Sequence, residues 1–137
     1  MSEKAGEIYI HGKPVKHISS YSYLDFAHDP EVIEAGIEAA RAYGTGNHGP
    51  RMLTGNLEIH EIFEKNLAKF LGKEDALVFS SGYLACVSCI QGLATKKDLV
   101  VMDRLCHNSL TTGATLSRAK VVKFRHNDFK HAEEVIK

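Results

Sequence analysis

The second half of the chain alternates short apolar runs with longer segments of helical spacing. The runs cover residues 76–79, 99–102 and 121–124, and a helix-like stretch follows each of them, over residues 83–96, after residue 107 and from near Asp128. Strands buried on both faces are apolar throughout, and strands alternating with helices are typical of a parallel sheet. The pattern therefore predicts an α/β fold whose mostly parallel sheet has helices on both faces.

The first half of the chain predicts two helices and little sheet. Residues 7–18 suit a short extended arm with a turn at residues 11–14, and Asp29 before Pro30 is a good start for a helix that runs to about Tyr43. A glycine-rich loop follows over residues 44–56. The next helix ends at Gly72, and its apolar face comprises Ile59, Ile62, Phe63, Leu67, Phe70 and Leu71.

Composition is that of an ordinary globular domain with a core of its own. The chain has 137 residues, 44% of them hydrophobic and 25% charged, and its 17 basic and 17 acidic residues cancel. A basic excess or stripe is missing, which argues against a nucleic-acid partner. No apolar stretch is long enough to span a membrane, and the start of the chain has no signal core. Three cysteines, an odd number, favour reduced thiols and a cytoplasmic location.

Two short motifs point to chemistry that their context does not support. Residues 44–49 match GxGxxG, but the match follows a helix and not a strand, so we interpret it as a loop in which glycine allows unusual backbone angles or a close approach of another chain or ligand. Cys86 and Cys89 match CxxC a full turn inside a predicted helix, and with Cys106 and His107 they would form an awkwardly spaced zinc set. We predict buried apolar cysteines and no metal.

The predicted topology brings two separate segments to one crevice. Parallel strands expose the loops at their carboxyl ends along one edge of the sheet, where ligands of open α/β sheets bind. Ser81, Gly82 and Tyr83 stand where a strand turns into a helix, so their free N–H groups favour an anion, or a serine there simply caps the helix. His107 lies at the same edge of the sheet. It could serve as a base, as a ligand or as a flat ring stacked on another ring, although a lone histidine is more often structural. A phosphate cradle beside an imidazole suits a phosphorylated aromatic cofactor.

Several motifs, in this order and spacing, resemble the α-oxoamine synthases, which are fold-type I pyridoxal-phosphate enzymes. The resemblance covers nearly the whole chain and rests on Tyr23-Leu24, Gly49-Pro50-Arg51, Ile59-His60-Glu61, Ser81-Gly82-Tyr83, Asp103-Arg104, His107-Asn108-Ser109 and His126-Asn127-Asp128. It implies that Ser81, Gly82 and Tyr83 meet the phosphate of pyridoxal 5'-phosphate and that His107 stacks on its ring. It also implies a homodimer that condenses an amino acid with an acyl thioester, with loss of carbon dioxide.

The departures from the family pattern concern the substrate side and the catalytic groups. Ser22 and Pro50 replace the family's residues on the substrate side, where the resemblance also places Arg51. The Gly49-Pro50-Arg51 sequence resembles the serine palmitoyltransferase branch most. The family's Schiff-base lysine and the aspartate and histidine that hold the ring would lie beyond Lys137. No lysine of this chain sits in a matching motif, so the resemblance implies that the chain alone is inactive.

These observations predict a division of the chain into two parts. Residues 1–56 would form an arm, a helix and a glycine-rich loop, and residues 57–137 the first, incomplete part of a large domain that binds pyridoxal phosphate. Two other functions stay open at this point: a non-catalytic dimerisation or regulatory module of the same fold, and a small domain that binds a phosphate ligand.

Overall fold

The structure, a computed structural model, describes residues 2–4, 7–16 and 19–137, without the side chains of residues 2–4 and 7. It falls into two compact units, Met1–Glu58 and Ile59–Lys137. Each unit is described by itself below.

The first unit begins with a three-stranded antiparallel sheet. Strand β1 is Ser2–Lys4, β2 is Glu7–Ile10 and β3 is Lys13–Lys16. His11 and Gly12 connect β2 to β3 with φ angles of 50° and 76°, the left-handed pair that a two-residue hairpin turn requires. A turn is present as predicted, but it is shorter than the predicted residues 11–14, because Lys13 and Pro14 already belong to β3. Residues 17 and 18 of the predicted extended arm lie outside the described residues.

Helix α1 is Pro30–Tyr43, which confirms the predicted helix. The Asp29 carboxylate accepts hydrogen bonds from the N–H groups of Glu31 and Val32, and proline occupies the first turn, where its missing N–H costs nothing. A short 3₁₀ turn, Phe26–His28, precedes the helix. Gly44 follows it with φ of 79°, and residues 44–56 then form a loop, as predicted.

The second unit contains four helices and a parallel pair of strands. Helices α2, α3, α4 and α5 are Glu58–Leu71, Gly82–Leu93, Asn108–Ser117 and Phe129–Ile136, with Glu58 belonging to the first unit. Strand β4, Leu99–Asp103, pairs with β5, Lys120–Phe124, in parallel. Helix α3 packs on α4, and α5 packs on the two strands. The runs over residues 99–102 and 121–124 thus give the predicted strand–helix alternation.

One predicted strand is wrong. Residues 76–79 form no strand in the structure, and no ladder pairs them with any described segment. Instead the Val78 N–H donates to a carboxylate oxygen of Glu64 on α2, at 2.7 Å. Glu64 is buried, so this bond ties the segment to α2.

Helix α3 is also shorter than predicted. It ends at Leu93 and not near residue 96, because Thr95 and Asp98 close a turn of their own. The Asp98 carboxylate accepts from the N–H and the hydroxyl of Thr95 at 2.8 and 2.7 Å. Such local side-chain bonds compete directly with helix continuation.

The core is much smaller than the composition predicts. Among the described residues, the buried hydrophobic side chains are those of Ile8, Ala68, Val87, Met102 and Ala114. Many large apolar side chains are exposed, including Phe70, Leu93 and Phe129. The described helices and strands therefore present apolar surface that no other described residue covers. Within the same residues, no helix is long and apolar enough to cross a membrane.

Candidate functional site

The amino end of α3 offers two backbone donors. Ser81, extended at φ −158° and ψ 154°, caps the helix, and its hydroxyl oxygen accepts from the Leu84 N–H at 3.2 Å. The Ala85 N–H bonds to the Ser81 carbonyl at 3.0 Å. The N–H groups of Gly82 and Tyr83 have no acceptor within the described part of the chain. The serine cap is therefore present, and two amides at the positive end of the helix dipole still face outward.

His107 is held in one orientation at the start of α4. Its Nδ1 atom accepts from the Ser109 N–H at 3.2 Å and lies 2.7 Å from the Ser109 hydroxyl. Because Nδ1 acts as an acceptor, the neutral ring carries its proton on Nε2. Ser109 is fully buried, whereas His107 is exposed. The buried serine therefore anchors an imidazole ring that stays accessible.

The structure brings Tyr83 and His107 together. Their ring centroids are 6.3 Å apart with the planes at 73°, an edge-to-face arrangement. The Tyr83 hydroxyl also lies 3.1 Å from the Thr112 hydroxyl on α4. The amino ends of α3 and α4 are thus linked, and two of the predicted cofactor residues, far apart in sequence, are neighbours.

Asp103 fixes the loops beside His107. Its carboxylate accepts from the Leu105 N–H at 2.7 Å, from the Asn127 N–H at 3.0 Å and from His126 Nδ1 at 3.0 Å. The Leu105 and Asn127 N–H groups, more than the His126 ring, hold the pKa of Asp103 below its usual value. The carboxylate therefore joins the turn that leads to His107 with the loop that leaves β5.

In the first unit, the glycine-rich loop closes on itself. The Asn47 side-chain amide donates to the carbonyls of Gly49 and Gly55 at 3.1 and 3.0 Å. A side chain on Gly55 would collide with the Gly49 backbone. The close approach that the glycines allow is thus one of the loop's own backbone, and neither glycine has a positive φ.

The loop also orients Arg51, and a separate segment holds Ser22. The Arg51 Nε–H donates to the Asn56 side-chain oxygen at 2.8 Å. Ser22 is exposed and lines an open depression of about 340 Å³ with aromatic and aliphatic side chains, those of Tyr21, Tyr23, Leu24 and Phe26. The two predicted substrate-side residues both lie in the first unit. Their roles stay a prediction.

The cysteines differ from the prediction of buried apolar side chains. Cys89 is exposed, Cys86 and Cys106 are half-buried, and all three are free thiols. Only Val87, between the first two, is buried, because α3 turns that face toward α4. Across residues 2–4, 7–16 and 19–137, no three His, Cys, Asp or Glu side chains are grouped to hold a metal ion.

Sequence reasoning missed the side chains that support the predicted ones. Ser109 orients His107, Thr112 contacts Tyr83, and Glu64 holds Val78. The serine two residues after a helix-starting histidine was a local signal that could have been recognised. Thr112 and Glu64 act across the fold, at separations of 29 and 14 residues, so no local pattern indicates them.

Comparison with known proteins gives one family and two kinds of relative. Residues 14–137 match the family described as aminotransferase class I and II. A relative named 8-amino-7-oxononanoate synthase from Alkaliphilus oremlandii is 42% identical over 96% of this chain and 33% of its own length. A protein of the same name from Mycolicibacterium smegmatis is 47% identical over 81% of this chain and 29% of its own length.

Solved structures agree with the sequence matches. A serine palmitoyltransferase from S. paucimobilis, solved with a bound PLP–myriocin aldimine, superposes with a TM-score of 0.93 at 36% identity, over 98% of this chain and 35% of that one. An 8-amino-7-oxononanoate synthase from Francisella tularensis gives a TM-score of 0.72 at 25% identity, over 85% of this chain and 32% of that one. The predicted fold class is confirmed, and the chain spans about a third of the length of the curated relatives it matches.

Both kinds of relative are α-oxoamine synthases, so the resemblance carried by the motifs is confirmed. The match over residues 14–137, which include every predicted site residue, decides the family. This chain belongs to the aminotransferase class I and II family.

Proposed function

We propose that this chain supplies the phosphate and ring contacts for pyridoxal 5'-phosphate in an enzyme that condenses an amino acid with an acyl thioester and releases carbon dioxide. The observation that carries the proposal is the pair of acceptor-free amides at Gly82 and Tyr83, next to the oriented ring of His107. An amide pair at a helix start suits a phosphate dianion, and an exposed flat ring suits stacking on a pyridine. The site is open on the Gly82 side, where nothing lies within 4 Å of an added Cβ.

Each residue has a limited task in this proposal. The Gly82 and Tyr83 N–H groups and the Ser81 region bind the phosphate, and the helix dipole of α3 adds favourable charge. His107 stacks on the ring, with Ser109 keeping the imidazole in place. When bound, the cofactor would supply an electron sink for a carbanion, while the protein supplies placement and electrostatics.

The substrate side and the assembly are part of the same proposal. Arg51, fixed by Asn56, and the exposed Ser22 would lie toward the amino acid and the acyl donor. We assign no catalytic group to this chain, since none of its lysines matches the family's lysine motif. Residues 57–137 would be the first part of a larger cofactor-binding domain, in a cytoplasmic homodimer whose partner and remaining segments cover the exposed apolar side chains.

Gly82 permits a test that removes a single donor. It is the first residue of α3 and follows an extended Ser81, so proline fits its backbone; the substitution deletes the N–H group and adds a ring on the open side of Gly82. We expect Gly82→Pro to weaken binding of pyridoxal phosphate about tenfold, the loss of one charge-assisted hydrogen bond. The matched control is Gly82→Ala, which keeps the donor. Binding is measured by the near-ultraviolet absorbance of the cofactor.

The ring contact and the linkage are tested in the same assay. His107→Ala should also weaken binding, while His11→Asn, a substitution suited to a left-handed position, should not. Borohydride, which reduces an imine between a lysine and the cofactor, should not attach pyridoxal phosphate covalently to this chain. Equal affinities for Gly82→Pro and Gly82→Ala would refute the phosphate site, and a borohydride-reducible adduct on a lysine would refute the statement that the chain holds no catalytic lysine.

A further inference from the structure

We propose that the second unit has another anion site, for a phosphate-bearing small molecule, in a depression at the carboxyl edge of β4 and β5. This depression, the basic depression, has a volume of about 340 Å³ and is lined by Arg104, Lys123, Phe124, Arg125 and His131. It shares no residue with the proposed cofactor site, and the inference does not depend on that function.

The topology of the parallel strands explains the cluster. Arg104 directly follows the last residue of β4, and Arg125 directly follows the last residue of β5. Register pairs Asp103 with Phe124, and the Arg104 N–H donates to the Phe124 carbonyl at 3.0 Å, so the two strand ends are level. Ligands of open parallel sheets bind at this edge.

The positive charges of the basic depression are only partly compensated. Arg125 pairs with Asp128 at 2.8 Å. The side chains of Arg104 and Lys123 have no hydrogen bond or ion pair to any described residue. The carboxylate of Asp103, the residue before Arg104, is already occupied by the N–H groups of Leu105 and Asn127 and by His126. The chain as a whole is neutral, so this excess is local.

The remaining groups suit a phosphate and an attached ring. His131 Nδ1 accepts the Arg125 N–H at 3.0 Å, so its Nε2 is the nitrogen left to donate to a ligand. Arg104 offers a planar fork and Lys123 a point charge, the two kinds of side chain that bind phosphate. Phe124 is half-buried and lines the same depression, where it offers an apolar surface.

Titration with pyrophosphate at constant ionic strength, followed by calorimetry, tests the site. We expect saturable binding of one pyrophosphate at the basic depression, weakened about tenfold or more by Arg104→Gln and by Lys123→Gln. The matched control is Lys120→Gln, because Lys120 is exposed on the same strand but does not line the depression. Circular dichroism establishes that each variant is folded.

Further arms locate the ligand and identify its source. Tighter binding of ADP than of pyrophosphate would assign the site to a nucleotide that uses the Phe124 surface, and equal affinity would assign it to the phosphate groups alone. Binding that is lost in Gly82→Pro but kept in Arg104→Gln and Lys123→Gln would place pyrophosphate at the α3 site and overturn the proposal. Non-saturable binding, or equal weakening by Lys120→Gln, would also overturn it.

Discussion

Single side chains set the geometry around His107 more than the regular elements do. Asp103 joins two loops through backbone N–H groups, and Ser109 fixes the imidazole from a buried position. Asn127, one of the residues held by Asp103, has φ of 55°, a left-handed conformation that asparagine adopts more readily than most residues. The carboxylate of Asp103 accepts the Asn127 N–H in that conformation.

Asp103→Asn should disturb this arrangement, since an amide cannot accept from three donors at once. Its NH₂ group would face an N–H donor of Leu105, Asn127 or His126. We expect the free energy of unfolding to fall, because one of these donors loses its acceptor. Chemical denaturation measures it, and Asp75→Asn is the control because Asp75 bonds only to the adjacent Ala76 N–H. Equal losses in both variants would contradict the special role of Asp103.

The same carboxylate predicts a pH dependence. Hydrogen bonds hold the pKa values of Asp98, Asp103 and Asp128 below the usual value of 3.8. A pKa that is lower in the folded state means that the stabilisation is complete above the unfolded value and is lost as the pH falls through the folded one. Stability should therefore drop below about pH 4. In Asp103→Asn the denaturation midpoint should change less between pH 5 and 2 than in the wild type, whereas parallel profiles would contradict this assignment.

At the scale of elements, helix packing in the second unit depends on one glycine. A Cβ on Gly113 of α4 would lie 2.9 Å from the Val87 carbonyl and 3.0 Å from the Ile90 Cβ on α3. The two helices that carry the candidate site therefore meet at a backbone contact. Gly92 of α3, in contrast, has nothing within 4 Å.

These two glycines make a matched pair. Gly113→Ala should destabilise the protein by about 1–3 kcal/mol through overpacking. Gly92→Ala should stabilise it by up to about 1 kcal/mol, because alanine restricts the unfolded chain and prefers a helix. Thermal denaturation of both variants measures the difference in sign. A Gly113→Ala variant as stable as the wild type would show that the α3–α4 contact is looser than described.

Elements fixed by neighbouring residues were predictable from the sequence, and elements fixed by distant ones were not. The start of α1 at Asp29 and Pro30 and the end of α2 before Gly72 depend on neighbouring residues. Both lie where the sequence pattern predicts them. The 76–79 run is as apolar as a strand, but a strand also needs a neighbouring strand to bond with. Among the described residues, the Val78 N–H bonds to the Glu64 side chain instead. For the site, the positions of Gly82 and His107 at helix starts were predictable, while the Tyr83–Thr112 contact depends on tertiary packing.

At the scale of the whole molecule, many large apolar side chains of the described residues are exposed. Phe70, Leu93 and Phe129 are 85%, 79% and 82% exposed. Apolar patches of this kind mark surfaces that bind other protein. The chain's span of about a third of its curated relatives is consistent with that reading, and the homodimer and larger domain proposed above would cover them.

Substitutions distinguish these exposed side chains from those of the core. The triple variant Phe70→Ser, Leu93→Ser, Phe129→Ser should bind less of a hydrophobic dye, with each change altering the free energy of unfolding by only about 0.5 kcal/mol. Val87→Ser, at a position 7% exposed, should unfold the second unit. Dye fluorescence and circular dichroism record the two effects. Loss of helix content in the triple variant would mean that these side chains already support the fold of this chain.

The contact between Gly49 and Gly55 has a consequence for changing specificity. Because the backbone closes on itself there, the loop behaves like a clasp, with fixed ends and a separate tip that contains Met52 and Leu53, 96% and 79% exposed. Residues at the tip can be exchanged for others without altering where the chain enters or leaves the loop. An engineer who wished to reshape the proposed substrate side could therefore vary the tip in a library and leave both glycines, with Asn47, untouched.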